Sequence, residues 1–226
     1  MTAEHDVFPR AMSLAVHELR TPVTVVAGYL RMLLREQAGP LSEKQRKMLE
    51  EADRSCARLG AIVGEMSDLG KLEGRELALT RQEFDIQALA AELASGMHEG
   101  SDRGVRLEVR PGEPVMVTGD RTRIGAALKA LMHAALRERG DPGVIVVACS
   151  TTEGSPAWAV VAIGEESMLA ALARAAQDAP PPFEEWRGGL GLALPVARRV
   201  IDAHGGALWS GDGSQGASAL RLPLRS

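Results

Sequence analysis

Two long runs of apolar residues at helical spacing, separated by Gly39-Pro40, constrain this chain more than any other feature. Across residues 8–36, Met12, Ala15, Leu19, Val23, Val26, Leu30, Leu33 and Leu34 recur at threes and fours, the period of one helix face. Gly39-Pro40 interrupts the run, and Ser42 followed by Gln45 forms a capping box for a second helix. That helix carries Leu49, Ala52, Cys56, Leu59, Val63 and Met66 in an unbroken 3-4-3-4 spacing, which favours coiled-coil packing over a simple amphipathic surface. Two helices alone cannot bury both stripes. A homodimer whose two hairpins make a four-helix bundle is the expected solution.

Composition bounds the rest. With 226 residues, 45% of them apolar and 25% charged, the chain can build a second core, so two units are expected. A net charge of −4 with mixed signs and 3% aromatic residues gives no basis for nucleic-acid binding. Cys56 and Cys149 fall in apolar helix and strand patterns and read as buried thiols of a reducing compartment. No apolar run reaches the roughly 18 residues of a membrane span, and the first ten residues lack the pattern of a signal peptide. The expectation is a cytoplasmic protein with no membrane span.

The chemistry concentrates in Leu14-Ala15-Val16-His17-Glu18-Leu19-Arg20-Thr21-Pro22. A histidine followed directly by a carboxylate on a helix is a nucleophile with a base beside it. His17 and Thr21, four apart, share one helix face a turn from each other, and Pro22 removes a backbone donor and is expected to loosen that turn. The run His-Glu-Leu-Arg-Thr-Pro resembles the H-box of the bacterial sensor histidine kinases. The resemblance implies that residues 1–74 are a dimerisation and histidine phosphotransfer domain, with His17 as phosphoacceptor on the outside of the bundle. Glu18 is then the general base or orienting partner. Thr21 holds a water for hydrolysis of an aspartyl phosphate, or else bonds back to its own helix. The implied partner is the receiver domain of a response regulator. Little precedes the H-box, so no sensor domain is expected in this chain: either an N-terminal sensor region has been removed ahead of it, or input arrives from an upstream kinase or sensor protein.

Residues 75–226 read as strands and helices in the order of the family's ATP-binding catalytic domain. Leu77-Ala78-Leu79 leads in, and Phe84-Asp85-Ile86 opens a helix. Strands are expected at 105–109, 115–118, 144–149, 158–163, 207–210 and 218–222, and helices at 120–137 and 192–203. The fold class is therefore α+β: a helical hairpin followed by a histidine-kinase-like α/β sandwich.

The nucleotide motifs of that domain look damaged. The family's N-box asparagine, an oxygen ligand for Mg²⁺, falls on His133, and an earlier one on Lys129; imidazole suits softer metals. A residue left over from a lost metal site is the main reading of His133, and a new nucleotide or metal role the alternative. The Asp-x-Gly-x-Gly that recognises adenine aligns with Ala162-Ile163-Gly164-Glu165-Glu166, which keeps Gly164 but puts alanine in place of the acceptor. Phe183-Glu184-Glu185-Trp186 resembles the F-box, and Gly189-Leu190-Gly191-Leu192 the second glycine box, a phosphate-binding backbone at a helix start. Only Arg187 and Gly188 separate the two, where the family has a long lid. Gly164, Gly189 and Gly191 are thus vestigial cofactor-binding positions, with neither ATP nor Mg²⁺ expected as cofactor and no metal ligands assigned. The function expected is phosphoryl exchange through His17, as in histidine phosphotransferases that keep a vestigial kinase fold. A working ATP-dependent kinase and a docking module without phosphate chemistry are the alternatives.

Overall fold

The computed structural model describes residues 4–74, 78–98, 100–154, 156–177, 180–187, 189–211 and 216–224, with side-chain surroundings from residue 11 onward. Leu77 of the lead-in segment and Gly188 lie outside the described residues. The chain divides into two compact units, Met1–Leu77 and Ala78–Ser226.

The first unit is a hairpin of α1 (Glu4–Leu34) and α2 (Glu43–Glu73). The first helix stops two residues short of 36, because Glu36 turns left-handed at φ 56° before Gly39 does so at 117°. Ser42 accepts from the Gln45 N–H while the Gln45 side chain accepts from the Ser42 N–H, completing the capping box. The second helix runs past Met66 to Glu73. Its 3-4-3-4 seam is divided between two tasks. Cys56 and Val63 are buried, with Leu49 half-buried, whereas Leu59 is 54% exposed. Part of the seam thus faces α1, and part remains outward within one chain.

The second unit holds two sheets. Strand β1 (Gln82–Asp85) pairs antiparallel with β3 (Met116–Gly119). The larger sheet runs β2-β4-β5-β7-β6, built from β2 (Val105–Val109), β4 (Gly143–Thr151), β5 (Trp158–Gly164), β6 (Ala207–Ser210) and β7 (Ser218–Pro223). Of these neighbours, β2 and β4 pair in parallel and the rest are antiparallel. The helices are α3 (Ile86–Ser95), α4 (Arg121–Glu138), α5 (Glu166–Arg174) and α6 (Ala193–Ala203).

Strand alternation distributes the core. Ala148, Val160, Ala162, Ala219 and Trp209 face Leu169 and Leu172 of α5. Their neighbours Val147, Val161, Ile163, Leu220 and Leu208 point the other way, and α4 packs against α6 and β5. All of β5 after Trp158 is buried, as a strand covered on both faces must be.

Two elements differ from the sequence expectation. Phe84-Asp85-Ile86 does open a helix, α3, with Asp85 as its N-cap and its Oδ1 accepting from the N–H groups of Gln87 and Val115, but Phe84 and Asp85 also end a strand, β1, that the sequence reading does not include. Helix α5 occupies a stretch, directly after the worn Asp-x-Gly-x-Gly motif, to which the sequence reading assigns no element. Met168, Leu169 and Leu172 lie three and four apart there, and their burial against the sheet selects a helix.

One buried polar pair ties this unit together. The His204 Nε2 accepts from the Asp120 backbone N–H at 2.9 Å, while Nδ1–H donates to the Val200 carbonyl at 2.7 Å. Asp120 caps α4 through the Arg123 N–H and accepts from the Thr80 N–H. A side chain at Gly119 would collide with Ile124 and His204. Burial lowers the His204 pKa, outweighing the Val200 hydrogen bond that raises it. The native state therefore holds this ring neutral, and the unfolded state binds more protons below about pH 6.5. Stability accordingly falls as pH drops below that value. Urea midpoints between pH 8 and pH 5.5 are expected to decline in the wild type and to decline less in His204→Gln; equal slopes would count against it.

Candidate functional site

The H-box lies on α1, which runs without a break through Pro22. Pro22 therefore does not loosen the helix as its chemistry suggests. It does leave the Glu18 carbonyl without an intrahelical donor. Contacts just beyond brace the helix: the Cys56 thiol donates to the Val23 carbonyl at 3.5 Å, and the Thr24 hydroxyl to the Arg20 carbonyl at 2.8 Å. The back-bonding threonine is thus Thr24, not Thr21.

Val16 sets the rotation of this helix. It is 3% exposed, buried inside the hairpin unit, and so turns the adjacent His17 outward. Glu18 and Thr21 are also exposed. Among the described residues no hydrogen bond or ion pair engages the side chains of these three. The result is an accessible imidazole with a carboxylate next to it and a hydroxyl one turn on, all carried by a rigid helix.

The sheet end carrying Gly164 is built differently. Ala162 points into the apolar cluster beneath α5, and Ile163 points to the opposite face; neither side chain can accept a hydrogen bond. Gly164 is packed shut, since a Cβ there would lie 3.1 Å from Ala217. The glutamates that follow are taken up by arginines: Glu165 by Arg139 and Glu166 by Arg110. Both carboxylates sit at the start of α5, where the helix dipole also favours them. Glu166 is thus a paired charge rather than a free one.

The short connection before α6 is tied down as well. Arg187 pairs with Glu138 at 2.9 Å, and the Arg137 guanidinium donates to the Gly189 carbonyl at 3.2 Å. Gly189 and Gly191 are left-handed, at φ 60° and 66°, and both are exposed ahead of α6. On α4, Lys129 is exposed and His133 half-buried. Sequence reasoning missed Glu138, Arg139, Asp120 and His204 as organising residues. Asp120 carries a local signal as the N-cap of α4, but the pairings that make these four organising residues reach far away in the chain, where no local motif marks them. Cys149 is half-buried rather than buried, and burial, assisted by the negative charge of Asp85, pushes its thiol up to about 12. It is no nucleophile at neutral pH.

Residues 10–75 match the model of the His Kinase A (phospho-acceptor) domain, the region that carries His17, Glu18 and Thr21. Over most of its length the chain is similar to sensor histidine kinases. It is 29% identical over 198 residues to the circadian input-output histidine kinase CikA of Synechococcus elongatus, covering 84% of this chain and 26% of that one. It is 28% identical over 200 residues to the signal transduction histidine-protein kinase BarA of Escherichia coli K12, covering 84% and 22%. The chain thus spans about a quarter of the length of these relatives. Among solved structures, full-length ShkA in complex with AMPPNP superposes with a TM-score of 0.69 at 21% identity, over 96% of this chain and 46% of that one. That likeness establishes the shared fold: a helical hairpin followed by a mixed-sheet domain of the histidine-kinase ATPase type. No helix among the described residues is long and apolar enough to cross a membrane.

Proposed function

We propose that this histidine-kinase-like protein passes phosphoryl groups through His17 to or from the aspartate of a response-regulator receiver, without using ATP. In this reading residues 1–74 are the dimeric phosphotransfer unit and residues 75–226 a catalytic domain that no longer binds nucleotide. The exposure of His17 beside Glu18, with Thr21 on the same helix face, carries the reading. The neutral imidazole attacks the phosphorus of the receiver's aspartyl phosphate with one ring nitrogen; the N–P bond forms as the P–O bond breaks and the aspartate carboxylate leaves, while Glu18 accepts or orients the proton on the other nitrogen. Thr21 is free to position a water for receiver dephosphorylation. At the nucleotide end, apolar Ala162 and Ile163 stand where an acceptor for the adenine amino group is needed. Losing such a hydrogen bond costs about 1–3 kcal/mol.

The direct test is incubation of the pure protein with a phosphorylated receiver, watching for acid-labile label on this chain; label that stays on the receiver at its own rate of hydrolysis, with none reaching this chain, would sink the proposal. A second arm uses Mg-ATP. Any ligand that prefers the native state raises its melting temperature by mass action, so the expected shift at millimolar Mg-ATP is none. A clear upward shift would support a second reading, an ATP-dependent kinase with an unusual pocket. The left-handed, exposed Gly189 and Gly191 ahead of α6 favour that reading, since such a backbone can meet a phosphate.

A further inference from the structure

Residues 182–187 touch three elements in succession. At one end they join the β6 edge: the Ser210 N–H donates to the Pro182 carbonyl at 3.4 Å, and the Glu184 N–H to the Ser210 hydroxyl at 3.0 Å. In the middle Glu185 faces Arg198 and Arg199 of α6, at 3.5 and 3.9 Å. At the far end Arg187 reaches Glu138, in the last turn of α4, at 2.9 Å.

The Arg187–Glu138 pair is the most enclosed of these ties. The Arg187 side chain is 8% exposed and that of Glu138 18%. Arg187 also lies over the Phe183 ring, 5.7 Å from its centroid, and its Nε donates to the Glu184 carbonyl. These contacts fix its direction. Between the two pinned side chains, Trp186 is turned outward and 74% exposed. The pair is joined by one hydrogen bond, not two: Glu138 Oε1 and Arg187 Nη2 are buried without partners. A singly bonded pair is weaker than the bidentate arrangement these groups can adopt. Removing one charge leaves the other buried and uncompensated.

We propose that residues 182–187 form a self-latched strap, in which the Arg187–Glu138 ion pair, rather than a bound ligand, holds the segment closed across α4, α6 and the β6 edge. The proposal goes beyond the phosphotransfer reading and stands whether or not His17 carries phosphate. It assigns this end of the domain a closed resting state that opens when the pair separates.

Arg187 itself supplies the probe, because it is a trypsin site hidden by the latch. Trypsin digestion of the full chain, followed by mass spectrometry, reads the rate of cleavage after Arg187. Exposed Arg35, beyond the end of α1, is the open reference, and Arg106, within β2, reports opening of the sheet. In the wild type, cleavage after Arg187 should be much slower than after Arg35. In Glu138→Gln it should rise by about tenfold or more, since cleavage tracks the population of the open form, while cleavage after Arg106 stays at the wild-type rate. Glu138→Asp, which keeps the charge on a shorter arm, should fall between the two. Three results would overturn the latch: wild-type cleavage after Arg187 as fast as after Arg35, no acceleration in Glu138→Gln, or equal acceleration after Arg187 and Arg106. Should Glu138→Gln lose its fold outright, Glu138→Asp decides: acceleration confined to Arg187 supports the latch, and acceleration at both sites refutes it.

Discussion

Replacing His17 by alanine is expected to abolish every acid-labile phosphoprotein formed on this chain, with the fold unchanged. The side chain is exposed on α1, and among the described residues no hydrogen bond or ion pair engages it, so its removal should cost little stability; exposed substitutions usually stay within about 0.5 kcal/mol. Thermal melting of His17→Ala should therefore match the wild type while labelled phosphate from a receiver no longer appears on the protein. Thr21→Ala separates the two activities expected of the motif. Transfer through His17 should persist, and dephosphorylation of the receiver should slow by about tenfold to a hundredfold, toward the lower end of what a positioned polar group contributes to a proton or water step. If His17→Ala leaves exchange with every cognate receiver intact, the chain is a docking module without phosphate chemistry.

The second large effect is on assembly. Leu59, 54% exposed, lies between buried Cys56 and Val63 in the heptad seam of α2, on the open edge of that stripe. On α1, Leu14 and Tyr29, both 64% exposed, add apolar surface. In the proposed dimer these positions meet a second copy. Burying a leucine fully is worth about 2–3 kcal/mol, and a two-fold interface counts it twice. Leu59→Asp replaces that gain with two facing carboxylates in an apolar seam. Sedimentation at micromolar concentration should show the wild type as a dimer and Leu59→Asp as a monomer. Because Leu59 does not belong to the core of a single hairpin, the monomer should keep its helical circular dichroism. A wild type that sediments as a monomer would rule the bundle out.

Much of the first unit is legible in the order of its residues. The stripes of α1 and α2, the Ser42–Gln45 box and the shared face of His17 and Thr21 follow from spacing between near neighbours, and helices are governed by interactions three and four residues apart. The same local logic finds the strands of the larger sheet to within about two residues at either end, because each is a short apolar run bounded by turn residues. It fails where local chemistry is overruled from a distance. Pro22 should disturb a helix, yet α1 continues through it, with the Cys56 thiol from α2 reaching the Val23 carbonyl. The stretch that becomes α5 follows a worn glycine motif and has no assigned element in the sequence reading; burial of Leu169 and Leu172 against Ala162 and Trp209 makes it a helix.

The α+β class, the hairpin and the His17-Glu18-x-x-Thr21 arrangement are thus written in the chain itself, because they depend on residues one or two turns apart. Three-dimensional packing alone settles which part of the heptad seam faces inward, that Thr24 and not Thr21 bonds back to the helix, and that Glu138, Glu165 and Glu166 are each held by an arginine. The partners of those carboxylates lie 26 to 56 positions away in the chain. A pairing at such separation leaves no periodic trace in a single sequence; it exists only once the sheet has brought its loops together.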